Sequence, residues 1–107
     1  MISRSPEGDE KGDNPALREA IGLYRDLLAA TSRQERPQDW ATTQNNLGAA
    51  LSRLGVRENS LERLQQAKDA IQSASTLYRE AGLSQYEAYF EERLNALEPL
   101  IERLEKE

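Results

Sequence analysis

An all-α fold, an array of about four antiparallel helices arranged as hairpins, is predicted by three observations on this 107-residue chain. Apolar residues recur at steps of three and four along four separate stretches, the spacing of one helix face. No window alternates apolar and polar residues with period two over a strand length. Glycine and proline fall at the ends of the helical stretches, apart from Gly22, Gly48 and Pro99.

Residues 1–12 combine Ser, Pro, Gly and charged side chains with a single Ile, too little apolar surface to offset the entropy of ordering. A flexible tail is expected over 1–13, with one helical domain over 14–107. Asn14-Pro15 reads as an N-cap followed by proline at the first helical position. Helix one then covers about 15–31, its stripe being Leu17, Ala20/Ile21, Tyr24, Leu27/Leu28 and Thr31. Helix two spans about 38–54 after Pro37, with Trp40, Leu47, Leu51 and Leu54 inward and Gly55 as its left-handed cap. Val56 to Asn59 are expected to form the turn, and Ser60 to cap helix three, about 60–81.

The stripe of helix three is Leu61, Leu64, Ala67, Ile71, Ala74, Tyr78 and Ala81, and Gly82 closes it. Ser84-Gln85-Tyr86-Glu87 fits a capping box for helix four, about 84–105. The stripe there is Tyr86, Phe90, Leu94, Leu97, Ile101 and Leu104. Pro99 lies inside it and cannot donate to the Asn95 carbonyl, so a kink or break near 95–99 is expected.

Composition narrows the function. Without cysteine or histidine there are no disulfides, few transition-metal sites and no usual neutral-pH general base. Neither a cofactor nor a metal is expected, and the chain reads as a non-enzyme. The net charge of −5 comes from its end: residues 1–79 hold eleven acidic and eleven basic side chains, residues 80–107 eight and three. A general nucleic-acid binder needs a basic face, so none is expected. No apolar run reaches the ~20 residues that span a bilayer, and no signal peptide is recognisable, so a cytoplasmic protein without membrane contact is expected.

Other constellations read as structure. The acidic pairs on helix four, such as Glu87/Glu91 and Glu98/Glu102, lack the His of a carboxylate-bridged bundle site and read as solvated surface. A calcium loop starting at Asp9 would place Ala20 where a bidentate Glu is required. Trp40, Tyr86, Tyr24 and Tyr78 fall on apolar stripes and read as core.

The chain also repeats faintly. Ala20-x3-Tyr24-x2-Leu27 recurs as Ala67-x3-Ile71-x2-Ala74, 47 residues later. Trp40, Leu47, Leu51 and Leu54 align more loosely with Tyr86, Arg93, Leu97 and Leu100, where Arg93 is a mismatch that Leu94 relieves. Leu47-Gly48 followed by Ala67, Ile71 and Ala74 resembles a tetratricopeptide repeat, and Thr43-Gln44-Asn45-Asn46-Leu47-Gly48 is similar to the Asn-Asn-Leu segments of kinesin-light-chain-like and long bacterial repeats of that superfamily. The resemblance covers about residues 37–82. The unit is longer than the ~34-residue norm; Gln44 stands where the pattern favours Trp, and Leu51 where it favours Tyr.

The resemblance implies a scaffold for protein–protein interaction that grips a partner protein or peptide in a groove lined by helix two. The groove-facing residues it implies are Thr42, Asn45, Asn46, Ala49 and Arg53. An Asn amide donates and accepts, so it can bridge an extended backbone. A carboxylate-clamping subtype would need lysines here, and none lies between Arg36 and Lys68. A second reading is a homo-oligomerisation domain, or a fragment of a larger repeat protein, without a peptide groove. In the short repeat array the acidic helix four is expected to serve as a polar end cap, and exposed Leu23 or Leu28 on helix one to favour self-association or attachment to a missing N-terminal region.

Overall fold

The computed structural model describes the backbone of residues 6–107 and the side chains of residues 14–107, and it is all-α. Among the described residues there are four α-helices and one turn of 3-10 helix, with no strand: α1 (Pro6–Ala30), α2 (Pro37–Glu58), α3 (Leu61–Glu80) and α4 (Glu87–Lys106). Each helix packs mainly on its neighbours in sequence, giving an elongated array of 48 × 32 × 22 Å. Cross-links between opposite ends show antiparallel packing: Arg18 pairs with Glu58 across α1 and α2, Thr42 meets Tyr78 across α2 and α3, and Arg79 pairs with Glu87 across α3 and α4. No described helix is long and apolar enough to cross a membrane.

The core is a single seam. Leu47, Leu51 and Leu54 of α2 meet Leu64, Ala67, Ala70, Ile71, Ala74 and Leu77 of α3, with Ile21 closing one side and Phe90, Leu97 and Ile101 the other. Small residues set the closest approach. A Cβ on Gly48 would lie 2.6 Å from Ile71 Cγ1 and 3.3 Å from the Ala67 carbonyl oxygen, and one on Gly55 would lie 2.8 Å from Leu64 Cδ2. No described side chain that carries polarity or charge is fully buried.

The elements differ from expectation at their ends. Helix α1 begins at Pro6, so residues 6–13 are helical where a tail was expected, while residues 1–5 of that tail lie outside the described residues. Pro15 is therefore internal; its fixed φ suits the helix, but it supplies no amide to the carbonyl four residues back and its ring crowds that carbonyl. Gly55 is not the cap of α2. The helix runs on through Glu58, and Asn59 takes the left-handed conformation at φ 51°, its amide and that of Ser60 reaching back to the Val56 and Gly55 carbonyls. Gly55 serves packing instead.

Ser60 caps α3 as expected, its hydroxyl accepting from the Arg63 amide at 3.2 Å. At the other end Gly82 adopts φ 80°, and the Gly82 and Leu83 amides close a Schellman turn on Arg79 and Tyr78. The expected capping box is not formed. Ser84–Tyr86 make the 3-10 turn, the Glu87 amide bonds the backbone oxygen of Ser84, and the Glu87 carboxylate accepts from Arg79 Nε at 3.2 Å. Nor does α4 break at Pro99: the helix is continuous, because Leu97 and Ile101 on either side are buried while Asn95 and Pro99 face solvent, where water can serve the freed carbonyl.

Candidate partner-binding face

Helix α2 buries one half of its circumference and opens the other. The buried half carries Ala41, Leu47, Gly48, Ala50, Leu51, Leu54 and Gly55. At 100° per residue, the opposite half carries Thr42, Asn45, Asn46, Ala49, Ser52, Arg53 and Val56. All five residues expected to face a partner therefore share one open face. Between Asp39 and Glu58 the helix contains no carboxylate, although the chain as a whole is acidic.

The face divides into two edges. On the α4 edge, the half-buried Asn45 donates from Nδ2 to the Tyr89 hydroxyl at 2.9 Å, and its Oδ1 is buried without a hydrogen-bond partner. The Arg93 guanidinium lies 4.9 Å from the Tyr89 ring centroid, with its Nε buried and likewise unpartnered. The exposed Thr42 hydroxyl lies 3.2 Å from the Tyr78 hydroxyl. On the α1 edge, Asn46, Ala49 and Arg53 line a cleft with Leu17, Ala20 and Tyr24. Arg53 is exposed and has no ion-pair partner among the described residues; Arg57 extends the same edge beside Ala16 and Leu17. Asn45 and Asn46, adjacent in sequence, thus serve opposite edges.

Tyr89 and Arg93 were missed by sequence reasoning, which placed Tyr86 rather than Tyr89 at the start of the stripe. Tyr86 is 43% exposed and packs edge-on against Tyr78, ring centroids 5.1 Å apart. The available signal was the mismatch of Arg93 with the leucine position of the repeat: a charged residue at a packing position needs a partner surface, and the Tyr89 ring supplies it. Trp40 is half-buried against the core and carries the Arg33 guanidinium 5.0 Å from its ring.

The acidic pairs of α4 do not converge: among the described residues, no group of three or more carboxylates is placed to hold a metal ion. Ion pairing there is with neighbouring helices. Lys68 Nζ lies 2.8 Å from Glu98 Oε2, and this hydrogen bond, with the charge of Glu98, raises the Lys68 pKa above the ordinary lysine value. Compared with protein-family models, curated proteins and solved structures, the chain matches none of them.

Proposed function

We propose that this chain is a non-enzymatic interaction module of tetratricopeptide-like build, which binds an extended partner segment along the open face of α2. One observation carries the reading: a carboxylate-free helix face of amides, a hydroxyl and arginines, flanked by α1 and α4, in a protein of net charge −5. The exposed Asn46 amide can satisfy both an N–H and a C=O of an extended backbone, and Arg53 and Arg93 favour a segment bearing acidic side chains or a free carboxylate. The fold keeps this face in place through the close seating of Gly48 and Gly55 on α3. The site performs recognition and asks for no chemistry.

The test is affinity capture from an extract of the native host, with partners identified by mass spectrometry and the interaction remeasured with purified components. Asn45→Ala combined with Ala49→Glu removes one amide and places a carboxylate at the centre of the face. Loss of a partner that the wild-type chain binds directly supports the reading. Equal binding by both forms refutes it.

A further inference from the structure

Helix α1 presents a second surface, which borders the cleft of the α2 face at Ala20. Leu23 and Leu27 are 59% and 51% exposed, the two most exposed large apolar residues described. They belong to a series, Ala16, Ala20, Leu23, Leu27 and Ala30, with steps of four, three, four and three, the heptad spacing of a helix that pairs with another. Ala16 and Ala30 are exposed and Ala20 is half-buried. The stripe therefore lies beside the seam with α2, facing outward.

Its two edges carry opposite chemistry. By helical spacing, Glu19 and Asp26 line the edge away from α2. Leu17 and Tyr24 line the other edge, and beyond them in the same cleft stand Arg53, at the Leu17 end, and Asn46, at the Tyr24 end. Glu19 is thus level with Arg53, and Asp26 with Asn46.

We infer that a second copy of this chain docks on α1, the two α1 helices running parallel about a two-fold axis. In that arrangement each stripe covers its counterpart. The acidic edge of one protomer faces the Arg53–Asn46 edge of the other, twice. An antiparallel pairing would set Glu19 and Asp26 against their own copies, like charge against like. The outer face of α4 is no alternative seat, because it exposes Glu91, Glu92, Asn95, Glu102 and Arg103 rather than leucines. The dimer covers the α1 edge of the α2 face, Asn46, Ala49 and Arg53 included, so in the dimer a bound segment is confined to the Thr42–Asn45 edge.

Sedimentation from micromolar to millimolar concentration tests this directly. The expected result is a reversible monomer–dimer equilibrium that Leu23→Glu/Leu27→Glu abolishes with helix content intact, since both side chains are exposed. Glu19→Arg should weaken the dimer about tenfold and Glu19→Arg/Arg53→Glu should restore it. The chain has no cysteine, so Leu27→Cys reports orientation: parallel pairing brings the two introduced thiols together and yields a symmetric disulfide-linked dimer. A chain monomeric at every concentration, a dimer that survives the double Glu variant, or a dimer that fails to cross-link at position 27 would each overturn the inference.

Discussion

Helices α1 and α3 carry the same motif 47 residues apart and bury it to different degrees. In α3, Leu64, Ala67, Ile71 and Ala74 are all buried, because α2 covers one side and α4 the other. Their counterparts Leu17, Ala20 and Tyr24 in α1 are half-buried, and Leu27 is exposed; only Ile21 of that helix is fully buried among the described residues. Identical spacing therefore specifies which face is apolar. How much of it is removed from water depends on the number of neighbouring helices, and with that the stabilisation each residue contributes.

The comparison can be broken by mutation. Ile71→Ala should cost about 2–5 kcal/mol, because the side chain is buried and its loss would leave a cavity between α2 and α3. Denaturant unfolding at low protein concentration checks this, and a loss no larger than that of Leu27→Ala, expected within about 0.5 kcal/mol, would erase the distinction. Gly48→Ala should destabilise by about 1–3 kcal/mol, since the new methyl meets Ile71 Cγ1 and the Ala67 carbonyl.

On α1 the sign reverses. Nothing lies within 4 Å of a Cβ built on Gly22, so Gly22→Ala should stabilise the chain by about 0.5–1 kcal/mol through helix propensity alone. A rise in thermal midpoint for Gly22→Ala beside a fall for Gly48→Ala would show that the two glycines serve different ends.

The smallest effect concerns Lys68. Its folded pKa is raised by Glu98, so the contribution of this pair is fully present below the ordinary lysine pKa of about 10.4 and is lost as pH rises through the raised value. The stability difference between wild type and Lys68→Gln should stay constant through neutral pH and shrink only in strong alkali. A difference that shrinks on acidification to neutrality would contradict the assignment.

The legibility of the fold followed the strength of local signals. Ser60 and Gly82 were readable, because a hydroxyl cap and a glycine in the left-handed region act within one turn. Gly55 was misread by the same rule, since glycine serves both a turn and a close approach, and only the position of Leu64 distinguishes them. Ser84 and Glu87 fit a capping box in sequence, but Arg79, on another helix, claims the carboxylate. On the candidate face, the five residues of α2 were legible as one side of a helix. Tyr89 and Arg93 were not, because they enter from α4 across 44 residues or more of chain.

What the sequence determined by itself is the helical class, the apolar face of each helix and the absence of carboxylates from the middle of α2. These follow from spacing and side-chain chemistry within a few residues. The tertiary structure alone decided which apolar faces are covered, that Asn45 and Asn46 turn to different edges, and that Leu23 and Leu27 of α1 stay exposed on the single chain while Leu17 and Leu28 are half-buried. Those outcomes depend on which helix lies beside which, and packing between distant segments is not encoded in any local window.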